Sequence, residues 1–136
     1  MHVSRFVSKL AAAAALMMLI AGGARAMHHE VKVAKAKDGA SYLTDAKGMA
    51  LYTFKKDEAG KSACAGDCAV SWPPFHQEKV GVTGDLQESD FATITRDDGK
   101  TQTTYKGMPL YYFARDAAPG DTKGQGAKEL WWLAKP

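Results

Sequence analysis

The chain has 136 residues, 46% of them hydrophobic, and a formal net charge of +3. Its first 26 residues hold three of the 18 Lys and Arg and none of the 15 Asp and Glu, so the remaining 110 residues carry 15 of each and are neutral. A neutral stretch of that length has no overall field to draw it to nucleic acid or anionic lipid, and one domain is the default for it.

The opening segment has the form of a signal peptide. His2, Arg5 and Lys9 make a polar, basic start, residues 10–20 are an apolar run of eleven, and Ala24-Arg25-Ala26 supplies a small-x-small cleavage site. Eleven apolar residues span about 16 Å as a helix, roughly half a bilayer core, so the run is too short for a transmembrane anchor. Cleavage is expected after Ala26, leaving residues 27–136 as a single soluble domain in the periplasm or outside the cell, read as a monomer. No second hydrophobic segment follows.

After Ala26 the chain begins Met27-His28-His29-Glu30. A free amine with His29 at the third position offers one α-amine, two backbone amides and an imidazole, a tetragonal nitrogen set that suits Cu(II) or Ni(II). His28 and Met27 add a weak ligand. The competing reading is a frayed, solvated terminus that holds nothing. The metal reading predicts one-to-one Cu(II) uptake by the exported chain beginning at Met27, abolished by His29→Ala. Titration on a sample whose intact mass has been measured checks it, and a correctly cleaved chain that takes up no copper would end it.

Further along, the pattern is β throughout. Residues 31–36 alternate in the period of a half-buried strand. Ser41-Tyr42-Leu43-Thr44, the turn Asp45-Ala46-Lys47-Gly48 and residues 49–54 read as a hairpin. Asp67–Ser71 has room for one helical turn before Pro73-Pro74 stops it, and residues 86–90 for another. Residues 91–95 and 101–105 are strands joined by Arg96-Asp97-Asp98-Gly99. Lys106-Gly107 then turns the chain into residues 108–113, and residues 130–134 form a final strand. The class is all-β with little helix, the strands packed as a sandwich or barrel-like unit.

Two halves of this plan repeat. Gly48-Met49-Ala50-Leu51-Tyr52-Thr53-Phe54-Lys55-Lys56-Asp57 recurs as Gly107-Met108-Pro109-Leu110-Tyr111-Tyr112-Phe113-Ala114-Arg115-Asp116, with six identities in ten at an offset of 59. Trp72 maps to Trp131 at the same offset, and Asp38-Gly39 matches Asp98-Gly99 after a one-residue gap. The repeats run over about residues 38–75 and 97–134. Long loops at 57–71 and 116–129 occupy equivalent places, and loops of this length are often functional or stapled.

Two copies of Tyr-x-Phe-x-x-Asp, the first followed by Cys-x-x-x-Cys and Trp-Pro-Pro, resemble the bacterial secreted-repeat family with a Y-x4-D motif, whose members are often described as lipoproteins of unknown function. The resemblance covers about 100 residues and implies an exported two-repeat domain without a settled activity. A lipid anchor needs a cysteine at the cleavage site. Here Ala26 precedes Met27 and the nearest cysteine is Cys64, so the chain is expected to be free of lipid.

Tyr52 and Phe54 share one strand face, as do Tyr111 and Phe113, and are read as duplicated core. Asp57 and Asp116 stand where each strand ends, placed to accept backbone N–H groups of the following loop and lock its exit. The alternative has the two carboxylates converging on a cation or ligand across a pseudo-two-fold axis. Neither loop has the dense oxygen spacing of a calcium site.

Cys64 and Cys68 form the sole cysteine pair in an exported chain, and an oxidising compartment favours a disulfide that staples the first loop. So small a ring contributes about 2 kcal/mol in the chain-entropy model. Two further readings stay open: a redox-active dithiol, disfavoured by the spacing, and a metal site completed by His76. Trp72 is expected to pack on Pro73-Pro74, and Trp72, Trp131 and Trp132 together are the candidates for a ligand surface. Trp131 and Trp132 must face opposite sides of their strand, one in the core and the other lying under the 116–129 loop or exposed as a ligand surface. Met49 and Met108 are read as packing residues.

No Gly-rich phosphate loop, Gly-x-Ser-x-Gly elbow or Ser/His/Asp arrangement is legible; after residue 26 the histidines are His28, His29 and His76. The expectation is a non-enzymatic envelope module binding a protein or small ligand, without a cofactor. The alternative is a copper- or nickel-binding protein using the new N-terminus or the cysteine loop.

Overall fold

A computed structural model describes residues 30–136. The signal segment and Met27, His28 and His29 lie outside the described residues. Eight short strands and little helix make up the rest. They are β1 (Glu30–Lys35), β2 (Ser41–Thr44), β3 (Tyr52–Phe54), β4 (Gly81–Val82), β5 (Phe91–Thr95), β6 (Thr101–Tyr105), β7 (Met108–Pro109) and β8 (Trp131–Leu133). One five-residue helix, α1 (Asp67–Ser71), precedes Trp72, and single 3-10 turns occupy Glu88–Asp90 and Ala127–Glu129.

The strands form three small sheets, ordered β2-β1-β4, β3-β8 and β5-β6-β7, none closed into a barrel. The mostly-β class and the two repeats therefore hold, and the packing is an arrangement of small sheets.

Turn chemistry explains the local pieces. In each repeat the first hairpin closes through the same bonds. Ala36 N–H donates to Ala40 O at 2.8 Å and Gly39 N–H to Ala36 O at 2.9 Å; Arg96 to Lys100 and Gly99 to Arg96 repeat these distances. The Asp38 and Asp98 carboxylates each accept the N–H two residues on, both at 2.9 Å. Lys106 and Gly107 have φ of 50° and 86°, the left-handed pair that a two-residue hairpin between β6 and β7 needs.

Beyond these turns the hairpin expected over residues 41–54 holds only at its root. Leu51 N–H donates to Leu43 O at 3.0 Å and Thr44 bridges Ala50. Then β3 leaves and pairs with β8 of the second repeat, Tyr52 opposite Leu133 and Phe54 opposite Trp131. The second repeat does the same in reverse. Tyr111 bridges Pro74, Tyr112 N–H donates to Pro73 O at 2.7 Å, and Ala114 N–H donates to Ser71 O at 2.9 Å. At the centre Tyr52 N–H donates to Tyr111 O at 2.8 Å and Tyr111 N–H to Tyr52 O at 2.9 Å. Each repeat thus completes the other around a pseudo-two-fold axis.

Two apolar clusters result. One gathers Tyr52, Phe54, Trp72, Tyr111 and Trp131 with Tyr42, Cys64 and Leu133. The other gathers Leu43, Leu51, Phe75, Leu110 and Ala134 with Val31, Leu86 and Tyr105. Burying such side chains against water is the main favourable term in folding.

Candidate functional site

The repeated motif works across the pseudo-two-fold axis. Tyr52 Oη donates to Asp116 Oδ2 and Tyr111 Oη to Asp57 Oδ2, both at 2.7 Å. The other carboxylate oxygen of each aspartate accepts a backbone N–H of its own loop: Ala63 to Asp57 at 2.6 Å and Lys123 to Asp116 at 2.9 Å. Each aspartate thus binds the backbone of its own loop and, across the repeats, a tyrosine hydroxyl that residue spacing does not reveal. In this arrangement each carboxylate is already engaged on both oxygens. Burial raises both aspartate carboxyls above their ordinary range. Burial and the hydrogen-bonded carboxylate likewise hold the Tyr52 hydroxyl protonated. Burial does the same for Tyr111, where the Asp57 contact adds to it against the opposing Ser62 bond.

The aromatic rings follow the same exchange. Phe54, Trp131, Trp72 and Phe113 stack in that order, with centroid distances of 4.2, 3.8 and 4.2 Å. Tyr52 meets Trp72 edge-on at 5.4 Å and Tyr111 meets Trp131 edge-on at 5.1 Å. Trp72 thus turns into the core, and its expected packing on Pro73-Pro74 is corrected. Those prolines lie beside the second Tyr-x-Phe segment, where Pro73 offers its carbonyl and the missing N–H costs nothing. Trp131 is core and Trp132, one residue on, is 41% exposed, so burial of the second ring under the loop does not occur. Of the three tryptophans offered as a ligand surface, Trp132 alone is accessible.

The two loops differ in how they are held. In the first, Cys64 and Cys68 lie at disulfide distance, 2.10 Å, with Cα atoms 5.3 Å apart. His76 is exposed, and among the described residues no group of three or more His, Cys, Asp and Glu side chains could hold a metal ion. Arg96, 6% exposed, reaches into this loop. Its Nη2 donates to Cys64 O at 2.6 Å, and its Nη1 donates to Ser62 Oγ at 2.9 Å and Gln102 Oε1 at 2.8 Å. Ser62 Oγ lies 2.6 Å from Tyr111 Oη. Because Tyr111 gives its proton to Asp57, Ser62 is the donor there. A buried chain of bonds therefore runs from Arg96 through Ser62 and Tyr111 to Asp57.

The second loop has no such plug. Gly124 N–H takes the place of the serine hydroxyl, donating to Tyr52 Oη at 3.1 Å. A Cβ on Gly124 would lie 2.7 Å from the Trp72 ring, so the loop passes where only glycine fits. The residue equivalent to Arg96 is Ala36, as their matching turn bonds establish. Between residues 35–41 and 120–125 there is instead an open cleft of about 590 Å³, lined by Ala36 and Leu133. Lys35, Lys37, Lys123 and Lys135 stand around it with Asp38 and Asp121. Neither Arg96 nor this cleft was among the sequence candidates. The matched Asp-Gly turns put Ala36 opposite Arg96, and that mismatch was the available signal.

An all-β domain of two exchanged repeats, each tying its tyrosine to the other's aspartate, defines a duplicated module of one kind. The family described as a secreted repeat of unknown function (Lipoprotein_15) matches twice, over residues 32–76 and 92–135, and the chain belongs to it. No curated protein and no solved structure matches the chain. Among the described residues no helix is long and apolar enough to cross a membrane.

Proposed function

We propose that this secreted repeat protein is a non-enzymatic binding module of the bacterial envelope that takes a small ligand in the cleft between residues 35–41 and 120–125. The observation that carries the reading is the difference between the two halves. One loop is closed by a disulfide and a buried arginine. Its counterpart faces Ala36 across an open cleft of about 590 Å³, within the range of about 300–1,000 Å³ usual for small-molecule sites. A duplication that keeps the core pairs in both halves and the plug in one leaves the other free for a different task.

The test is native mass spectrometry of the exported chain after incubation with the low-molecular-weight fraction of a bacterial periplasm. A discrete adduct is expected on the wild type and lost in Ala36→Trp, whose indole fills the cleft. Trp132→Ala, on the far side of its strand, should keep the adduct. An adduct unaffected by Ala36→Trp, or no adduct at all, would overturn the reading.

A further inference from the structure

Resting on that reading of the cleft, we infer that its ligand is a small polyanion whose phosphate or carboxylate oxygens are held by Lys35, Lys37, Lys123 and Lys135. The charge around the cleft carries the argument. Four lysines and two aspartates line the cleft, although residues 27–136 balance to zero overall. Both carboxylates are also turned into backbone. Asp38 Oδ1 accepts the Ala40 N–H at 2.9 Å, and Asp121 Oδ2 accepts the Ala117 and Ala118 N–H groups at 2.8 and 3.1 Å.

Lys123 Nζ lies 4.0 Å from Asp121 Oδ2. Among the described residues Lys35, Lys37 and Lys135 form no salt bridge, which leaves three ammonium groups uncompensated around one concavity. Ammonium ions converging on a cleft focus a positive potential there, and a multivalent anion answers several of them at once. Ala36 and Leu133 line the same cleft as these lysines, and several flexible, point-like ammonium groups around one concavity suit a compact charged ligand better than an extended chain.

Two other concavities among the described residues do not share this character. One of about 530 Å³ is flanked by Glu78, Lys79 and Glu88, and one of about 620 Å³ by Asp85, Asp90 and Lys106. Each carries more negative than positive groups. The cleft beside Ala36, the residue equivalent to Arg96, does not call for a guanidinium ligand either, because the surrounding lysines would repel it.

The experiment is amide-resolved NMR titration of the exported chain with four probes: inorganic pyrophosphate, citrate, maltotriose and arginine amide. Shifts confined to residues 35–41, 120–125 and 135 are expected with pyrophosphate, citrate or both, the stronger of the two distinguishing a phosphate from a carboxylate source. The double variant Lys37→Glu/Lys135→Glu should weaken that binding about tenfold or more, while Lys56→Glu, outside the cleft, leaves it unchanged. Shifts at the same amides with maltotriose or arginine amide alone would overturn the polyanion and keep the cleft as a site. Anion binding equally weakened by Lys56→Glu would overturn it as well, as a general charge effect. Silence at these amides with every probe would remove the polyanion, and silence joined to an adduct surviving Ala36→Trp would remove the cleft too.

Discussion

Trp131→Ala is expected to destabilise the fold by about 3–5 kcal/mol, and Trp72→Ala by a similar amount. Each indole is the inner ring of the four-ring stack and meets a tyrosine edge-on. Truncation removes two stacked neighbours and one edge contact together, and aromatic pairs contribute about 0.5–1.5 kcal/mol each beyond their buried area. The space cannot easily close, because the neighbouring rings come from segments of both repeats that are bonded to each other. Domains of this size are stable by about 5–15 kcal/mol, so the loss is a large share of the whole. Trp132→Ala, adjacent in sequence but 41% exposed, should cost less than about 1 kcal/mol. Urea denaturation of the three variants checks this. At a slope of about 2 kcal/mol/M the core variants should fall by roughly 2 M in midpoint. Equal effects of Trp131→Ala and Trp132→Ala would show that the rings are not divided between core and surface in this way.

Much of the local structure was legible because it is governed by local chemistry. The β2 bounds, the Asp-Gly turns, the Lys106-Gly107 reversal and the helical turn at Asp67–Ser71 follow from alternation, positive φ and proline, all properties of neighbouring residues. The partner of each strand was not legible. A Tyr-x-Phe strand next to its own hairpin reads as that hairpin's continuation, and nothing nearby announces that Tyr52–Phe54 pairs with Trp131–Leu133 instead. That choice is made by contacts 54 to 72 residues apart, the tyrosine–aspartate bonds and the Tyr52–Gly124 bond among them. For the same reason the sequence points Trp72 at its adjacent prolines, although its ring stacks on its own counterpart in the second repeat, Trp131. The backbone of Arg96 belongs to the turn that its sequence neighbours specify. Its side chain leaves the turn and crosses to the cysteine loop, a destination that only the folded chain defines.

The tyrosine–aspartate pairs should behave as a coupled unit. Asp57→Ala leaves the Tyr111 hydroxyl and the Ala63 N–H without their acceptor and takes a carboxylate from the buried bond chain ending at Arg96. An unsatisfied buried group costs about 1–3 kcal/mol; the Tyr111 bond is buried whereas Ala63 is exposed and its N–H can turn to water, so a loss of about 2–3 kcal/mol is expected. Tyr111→Phe removes the donor to Asp57 and the acceptor of Ser62 Oγ but leaves the Ala63 bond to Asp57 in place, and should cost about 1–2 kcal/mol. The double variant should fall short of the sum by about 1–2 kcal/mol, a coupling between residues of different repeats that strict additivity would refute. Acidity gives a second reading of the same pair. Burial raises the Asp57 carboxyl above its ordinary value of 3.8, so between the unfolded and folded values the fold binds more protons than the unfolded chain. The stability this group contributes is therefore fully present below the unfolded value and declines as pH rises through the raised one. Asp57→Asn cannot titrate. Its deficit against the wild type should be larger in acid than at neutral pH, while the opposite slopes of Asp98 and Asp121, both lowered by backbone hydrogen bonds, are common to both proteins and cancel. A deficit that shrinks on acidification would mean that the folded chain favours the ionised carboxylate, with the Tyr111 and Ala63 hydrogen bonds outweighing its burial.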